Sequence, residues 1–172
     1  MTKSYVHIIT GDGKGKTTAA IGLSLRAAGS GLKIFFAQFI KKGEYSENIA
    51  FRRLSDQISV EQFGLEKVSA TKSNPENILA AQKGLNRIRT IMAENRYDMM
   101  VLDEITLAVN LGLIAENDLL ELIVNKPHSL ELIITGRYAS PRVIEAADVV
   151  TEMKALKHYY QRGVKARVGI EK

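Results

Sequence analysis

The chain has 172 residues, of which 45% are hydrophobic and 25% charged, with a formal net charge of +5 and no cysteine. This size suits one domain with a sizeable core, expected over residues 1–172, and the lack of cysteine excludes disulfide bridges and thiolate metal sites. No apolar run is long enough to span a membrane, and the first strand begins too early for a signal peptide, so we expect a cytoplasmic protein without a membrane partner.

Residues 10–18 are the most informative segment, because they are typical of a phosphate-binding loop between a strand and a helix. The apolar run Tyr5–Ile9 precedes them, and a helical pattern continues from Ala19. Glycines let backbone N–H groups point at a phosphate, and the helix N-terminus adds a positive dipole. A lysine then reaches the outer phosphates, and a hydroxyl can bind Mg²⁺. The residues expected to bind a nucleoside triphosphate here are Thr10, Gly11, Asp12, Gly13, Lys14, Gly15, Lys16, Thr17 and Thr18.

The loop departs from the pattern G-x-x-x-x-G-K-[ST] at its first position, where Thr10 stands in place of glycine. A β-branched residue resists positive φ, so we expect a variant geometry where the loop begins. Lys16 is expected to be an exposed loop lysine whose removal leaves the fold intact.

Apolar runs alternate with helical patterns through the rest of the chain, which predicts a parallel sheet with crossover helices. The later runs are Ile34–Ile40, Ile58–Phe63, Met99–Leu102, Leu130–Ile134 and Val149–Met153, the last expected at an edge. Their continuous hydrophobicity indicates strands covered on both faces. We therefore predict a single-domain α/β fold of the P-loop NTPase type, doubly wound, with a mostly parallel sheet of five to six strands.

Three helices are predicted between these strands. One begins at Asn74-Pro75 and continues past Met92, a second covers Asn117–Val124, and a short third runs from Ser140-Pro141 to Ala147. The stretches 41–48 and 64–74 are polar and follow strands. Because ligands of open α/β sheets bind beyond the carboxyl ends of the strands, these stretches are expected to form the walls for a second substrate.

Two carboxylates, Asp103 and Glu104, directly follow the fourth apolar run. A carboxylate pair at the end of a buried strand beside a phosphate loop can hold Mg²⁺ directly or through water. Arg137 follows the fifth run in the same way, and its planar guanidinium suits phosphate oxygens. A turn with a surface arginine is the equally open alternative at that position.

The basic residues are concentrated in residues 154–172, where six lysines and arginines face Glu171 alone and account for the whole net charge. Apolar and aromatic residues are interleaved with them, unlike a disordered basic arm. This pattern favours a folded segment that packs on the domain and offers some cations to an anionic ligand, with plain solvation open for each of them.

Several ordered sequence blocks resemble the ATP:corrinoid adenosyltransferases of the P-loop type, over nearly the whole chain. The blocks are residues 10–20, Gln38-Phe39-Ile40-Lys41, Val101-Leu102-Asp103-Glu104, residues 133–137, 147–153 and 156–158, and residues 163–170. That family shares the shortened phosphate loop, so Thr10 agrees with the resemblance. The resemblance implies transfer of the 5′-deoxyadenosyl group of ATP to cobalt(I) of a reduced corrinoid, with release of triphosphate, in adenosylcobalamin biosynthesis or salvage.

The resemblance also implies roles for single residues. Lys16 and Glu104 are the expected catalytic residues, Thr17 and Glu104 the ligands of Mg²⁺ or Mn²⁺, and Asp103 a weaker metal candidate. Gln38, Lys41 and Phe63 are the expected corrinoid-binding residues. ATP is expected to lie reversed in the loop, exposing its 5′-carbon, and the protein is expected to be a homodimer.

One stretch departs from the family. Residues 64–71, which correspond to an aromatic wedge in better-known members, contain no aromatic residue. Three alternatives stay open for the function of that wedge in this protein: another residue, a differently ligated corrinoid or a reductase partner. Two other functions also stay open: a P-loop phosphotransferase or ATPase, and a nucleotide-dependent module that binds nucleic acid or protein through the basic segment. Nucleic acid is not an expected partner of an adenosyltransferase.

Overall fold

The computed structural model describes residues 3–64 and 75–172, and the six strands in these ranges form one parallel sheet. The strands are β1 (Val6–Thr10), β2 (Ile34–Gln38), β3 (Ile58–Gln62), β4 (Met99–Asp103), β5 (Glu131–Thr135) and β6 (Val149–Glu152). Their order in space is β3-β2-β4-β5-β1-β6, and every neighbouring pair runs parallel. The predicted α/β class and the parallel sheet are confirmed.

Six helices connect the described strands, and one 3₁₀ turn follows β6. They are α1 (Lys16–Gly29), α2 (Ser46–Arg52), α3 (Pro75–Glu94), α4 (Ile105–Asn110), α5 (Glu116–Val124), α6 (Pro141–Glu145) and the 3₁₀ turn Tyr159–Arg162. The predicted helices correspond to α3, α5 and α6, and the Ser140 hydroxyl caps α6 by accepting from the Val143 N–H at 3.3 Å. Asn74, the expected cap of α3, and the polar stretch from residue 65 to 74 lie outside the described residues. Two short helices, α2 and α4, were not predicted.

Both faces of the central strands are buried, because helices pack on each side of the sheet. All five residues of β2 and of β4 are buried. One apolar cluster joins Leu85 and Ile88 of α3 to Phe35, and another joins Ala20 of α1 to Phe36. Alternate residues of one strand therefore pack into the apolar clusters on opposite faces of the sheet, as the continuous apolar runs predicted.

The edge strand β6 differs from this arrangement. It pairs with β1 at the predicted edge, but all four of its residues are exposed, including Val149 and Val150. The expectation of burial on both faces is therefore wrong for β6. Its apolar run follows the pattern of the inner strands, but no pattern within a strand records whether a helix covers it.

Parallel pairing brings the carboxyl ends of the strands to one edge of the sheet. Thr10, Asp103 and Thr135 end β1, β4 and β5, and β5 lies between the other two strands. The phosphate loop and the carboxylate pair are consequently close in space although distant in sequence. None of the helices in the described ranges has both the length and the apolarity that a bilayer crossing requires.

Candidate active site

The phosphate loop links β1 to α1 and takes its positive φ angles at glycines. Gly11 has φ +96° and Gly15 has φ +123°, whereas Thr10 ends the strand and is buried. The first loop glycine with a positive φ is therefore Gly11, one position after the first glycine of the pattern G-x-x-x-x-G-K-[ST].

Lys16 folds back across its own loop instead of extending into solvent. Its Nζ donates to the carbonyls of Gly11 at 2.7 Å and Gly13 at 2.8 Å, and the residue is buried. Burial lowers the pKa of the Lys16 ammonium, an effect that the charge of Glu104 only partly offsets. The expectation of an exposed lysine is wrong, because two loop carbonyls accept from its ammonium and keep the side chain within the loop.

Two loop glycines are required by a neighbouring backbone as well as by a nucleotide. The Gly13 N–H donates to the Met153 carbonyl at 2.6 Å, and a Cβ at Gly13 would lie 2.7 Å from that oxygen and 2.8 Å from the Lys154 carbonyl carbon. A Cβ at Gly11 would lie 2.5 Å from the same Met153 oxygen. The chain leaving β6 therefore supports the phosphate loop from one side, at distances that only glycine allows.

Asp103 is the most tightly bound carboxylate of the site. It is fully buried, and its Oδ1 accepts from the hydroxyls of Thr17 at 2.8 Å and Thr135 at 2.7 Å. Its Oδ2 accepts from the Lys41 ammonium at 2.9 Å. Because the Thr17 hydroxyl donates its proton to Asp103, the lone pairs of that hydroxyl are left for a cation.

Glu104 takes a left-handed backbone conformation, φ 61° and ψ 19°, which is rare outside glycine and turns the chain between β4 and α4. Its N–H donates to the Thr135 hydroxyl at 3.0 Å, and its side chain lines the cleft. Burial raises the pKa of Glu104, and the negative charge of Asp103 raises it further. Burial and the charge of Asp103 thus disfavour the ionised form of Glu104. A bound cation would offset this negative charge, so Glu104 is a good candidate ligand for one.

The oxygen donors at this edge suit a hard divalent cation. No group of three or more His, Cys, Asp or Glu side chains with the geometry of a metal site occurs in the described residues. Thr17 and Glu104 can instead supply one oxygen each, with Asp103 acting through Thr17. Mg²⁺ and Mn²⁺ are bound in this manner when phosphate oxygens and water complete the coordination shell.

A cleft of about 540 Å³ connects the loop, the carboxylates and the C-terminal segment. Its walls include Gly13, Lys14, Gly15, Lys16, Thr17, Thr18, Lys41, Ser46, Glu47, Glu104, Arg137, His158 and residues 169–172. Most of the expected nucleotide-binding residues thus meet in one cleft, including exposed Arg137. Thr10, Gly11 and Asp12 are not among the residues that line this cleft.

The three expected corrinoid-binding residues are separated by the structure. Lys41 lines the cleft, and Phe63 packs on Phe39 with ring centroids 5.5 Å apart. Burial lowers the pKa of Lys41, but the charge and hydrogen bond of Asp103 outweigh it and raise the pKa.

Gln38, the third of them, is fully buried at the end of β2. Its amide donates to Glu47 at 3.2 Å and accepts from Asn48 at 3.1 Å and Gln62 at 2.9 Å. Gln38 therefore connects α2 to β3, and it lies outside the lining of the cleft.

Sequence reasoning missed several residues of the site. Thr135 bonds both Asp103 and the Glu104 backbone, and Glu47 reaches Lys41 at 3.7 Å. A threonine at the end of a buried strand next to the strand of the phosphate loop was a usable signal for Thr135. Glu47 belongs to the stretch 41–48 that was expected to form a wall of the site, and Lys41, Ser46 and Glu47 of that stretch do line the cleft. The contact of Glu47 with Lys41 was not predicted, because α2 was not predicted.

Glu104→Gln is expected to raise the Mg²⁺ concentration needed for half-maximal turnover by about 10- to 100-fold, because a neutral amide binds the cation weakly. The raised pKa of Glu104 means that its stabilising contribution is present below the ordinary glutamate pKa and is lost as pH rises through the raised value. The ligand-free variant should therefore be at least as stable as the wild type at neutral pH. Metal titration of turnover and thermal melts against pH measure both effects. Glu145→Gln, on the exposed surface of α6, is the control, and an unchanged metal requirement in Glu104→Gln would remove Glu104 as a ligand.

The parallel sheet, the glycine-rich loop between β1 and α1, and the buried aspartate at the end of β4 define a P-loop nucleotide-binding protein. More narrowly, the chain belongs to the ATP:corrinoid adenosyltransferase family. The family description "ATP:corrinoid adenosyltransferase BtuR/CobO/CobP" matches residues 2–171. Its members are transferases that use ATP and a corrinoid, which agrees with the resemblance seen in the sequence.

Relatives over almost the whole chain carry the same description. A corrinoid adenosyltransferase of Pseudomonas aeruginosa is 34% identical over 170 residues, covering 98% of this chain and 84% of that protein. A corrinoid adenosyltransferase of Escherichia coli K12 is 32% identical over 176 residues, covering 98% and 86%. The flagellar accessory protein FlaH of Methanocaldococcus jannaschii superposes with a TM-score of 0.55 at 14% identity, covering 88% of this chain and 72% of that one. The likeness to FlaH concerns the fold alone.

Proposed function

We propose that this protein transfers the 5′-deoxyadenosyl group of ATP to cobalt(I) of a reduced corrinoid, cobalamin or cobinamide, and releases inorganic triphosphate. The observation that carries the proposal is that Lys16, Thr17 and Glu104 line one cleft in a chain of this family. Adenosylcobalamin biosynthesis or salvage would use this reaction.

The reaction breaks the bond between the 5′-carbon and its oxygen, and the electron pair leaves with the triphosphate. A bond between cobalt and carbon forms with electrons that cobalt(I) supplies, so no proton needs to be removed from the nucleophile. The tasks left to the protein are alignment of the 5′-carbon and stabilisation of the charge on the leaving triphosphate.

The residues of the loop fit the second task. The Lys16 ammonium donates to the Gly11 and Gly13 carbonyls within the loop, and it can donate to triphosphate by turning from them. Backbone N–H groups of the loop and the N-terminus of α1 add further positive charge. Bound Mg²⁺ would contribute Lewis-acid stabilisation of the leaving oxygens, held by Thr17 and Glu104.

Assembly and location belong to the same proposal and rest on the family. A homodimer, a reductase that supplies cobalt(I) and a cytoplasmic location are expected. Residues 65–71, most of the stretch that corresponds to the family's aromatic wedge, lie outside the described residues. Of the three expected corrinoid-binding residues, Lys41 lines the cleft, whereas Gln38 and Phe63 are not part of its lining.

The products of one reaction test the proposal. Phosphorus NMR of the protein with MgATP and chemically reduced cobalamin should show inorganic triphosphate, together with a light-sensitive adenosylcorrinoid in the visible spectrum. A reaction without corrinoid is the control. ADP and orthophosphate without a cobalt–carbon product would contradict the proposal and favour a phosphoryl-transferring P-loop enzyme.

A further inference from the structure

The C-terminal strap, residues 154–172, is folded across the cleft, and the proposed reaction gives it no role. His158 and residues 169–172 line the same cleft as the phosphate loop. One end of this wall meets the loop, where the Lys14 ammonium donates to the Ile170 carbonyl at 3.1 Å. The other end meets α2, where the Ser46 hydroxyl donates to the main-chain oxygen of Lys172 at 3.0 Å. The strap therefore bridges two walls of the site.

A clasp around Glu171 gives the strap its shape. The Glu171 carboxylate accepts from the Arg167 guanidinium at 3.1 Å and from the Arg167 N–H at 2.8 Å, and it also bonds the Tyr159 hydroxyl. The Arg167 guanidinium lies over the Tyr159 ring, 5.0 Å from its centroid. Residues 160–170 are otherwise exposed. Few buried apolar contacts hold the strap, so the clasp carries most of its order.

Five strap residues line the cleft: His158, Gly169, Ile170, Glu171 and Lys172. The Glu171 carboxylate is engaged by Arg167 and Tyr159, and Gly169 can offer only its backbone. The Tyr160 N–H donates to Nδ1 of His158 at 3.1 Å, so the neutral ring carries its proton on Nε2. An imidazole donor, an apolar side chain and a glycine backbone suit a ribose and a purine better than they suit a triphosphate.

The volume of the cleft also favours the nucleoside as the part of the substrate that meets the strap. The cleft holds about 540 Å³, which lies in the range of sites for ligands the size of a nucleotide. A corrinoid is much larger than a nucleoside and has to approach from outside this volume. With the phosphates at Lys16 and Thr17, the remaining part of the cleft is left for the nucleoside.

We propose that the C-terminal strap is the wall that receives the nucleoside half of ATP, with His158 as a contact residue and Glu171 as the positioning residue. The proposal rests on the function proposed above, since it assumes ATP as the nucleotide. It assigns a ligand to the basic segment, for which the charge pattern alone had left both an anionic ligand and plain solvation open.

The clasp is intact at the pH of an ordinary assay. The hydrogen bonds from Arg167, followed by the one from Tyr159, lower the pKa of Glu171 to about 2. A lowered carboxyl pKa contributes stability above the ordinary glutamate value, and that contribution is lost as pH falls through the lowered value. Any effect of a Glu171 variant near neutral pH therefore reports the loss of the clasp and not its titration.

The test compares two ligands that share phosphates but differ in the nucleoside. Calorimetric titrations with MgATP and with magnesium and inorganic triphosphate are performed on the wild type, Glu171→Ala and His158→Ala. Both variants should bind MgATP about tenfold more weakly, which corresponds to the loss of one or two hydrogen bonds, while triphosphate affinity changes by less than about twofold. Glu116→Gln is the matched control, because Glu116 forms a comparable pair with Arg142 at 2.6 Å outside the cleft.

Each other outcome overturns the proposal. The strap does not bind the nucleoside if both variants keep the wild-type affinity for MgATP. The same conclusion follows if the affinities for MgATP and for triphosphate fall equally, or if only the KM for the corrinoid rises. Thermal melts of the variants identify a loss of folding, which would weaken both ligands together. If the wild type binds ATP but forms no adenosylcorrinoid, the proposed function fails while the two-ligand comparison still decides the role of the strap.

Discussion

Lys16→Ala is expected to lower turnover with ATP by at least about a hundred- to a thousandfold, the loss seen when one positioned donor is removed from a developing anion. The Lys16 ammonium donates to two carbonyls of its own loop, so its positive charge is already located at the cleft where the triphosphate would leave. The measurement is the initial rate of adenosylcorrinoid formation under saturating ATP and reduced corrinoid.

Stability of the Lys16→Ala variant separates this effect from unfolding. Two hydrogen bonds to loop carbonyls are lost, one half-buried at Gly11 and one buried at Gly13, but a desolvated charge is removed as well, so the free energy of unfolding should fall by about 1 to 2 kcal/mol, too little to unfold the domain. Lys83→Ala on the exposed face of α3 is the matched control. Wild-type turnover in the Lys16 variant would refute the role given to this residue.

Asp103→Asn is expected to be the most destabilising single change in the site, at about 3 kcal/mol, because it breaks a buried ion pair and leaves one charge without its partner. Three donors converge on the carboxylate, from Thr17, Thr135 and Lys41. An amide has only one acceptor oxygen, so at least one donor loses its partner. The contact of Lys41 with Glu47 at 3.7 Å keeps the cost at the lower end of the range for buried pairs. The melting temperature should fall by about 10 °C, and turnover should fall as well because Thr17 loses its orientation.

A double variant tests the cause of the Asp103→Asn effect. Lys41→Met added to Asp103→Asn removes the isolated ammonium and should restore about 1 kcal/mol of the lost stability. Chemical denaturation of the wild type, the two single variants and the double variant gives the coupling free energy. A double variant no more stable than Asp103→Asn would show that the unpaired charge of Lys41 is not the source of the loss.

The sequence predicted those parts of the site that are close along the chain. Strand, loop, Lys16 and Thr17 are consecutive, and Asp103 with Glu104 directly ends a buried apolar run, so each feature had a local signature. The parallel sheet then brings the two segments together, since alternating strands and helices leave few other topologies. The class of the fold and the meeting of Lys16, Thr17 and Glu104 at one cleft were therefore predictable.

The partners of these residues were not predictable in the same way. Thr135 and Lys41 reach Asp103 from 32 and 62 residues away, and no local pattern records such a pairing. Gln38 follows a strand like a ligand-binding residue, but its side chain turns beneath α2 and bonds neighbouring side chains. Helix α2 itself spans seven residues, too few for a helical period to stand out from a polar loop.

The contact between the phosphate loop and the backbone at Met153 limits how this loop can be transplanted. The spacing of Gly11 and Gly13 matches the close approach of the chain that leaves β6, with a hydrogen bond of 2.6 Å at Gly13. A protein engineer who grafts residues 10–18 onto another nucleotide-binding scaffold would need to supply an equivalent sixth strand and its exit. Without that contact, the same nine residues would have the composition of the loop but not its conformation.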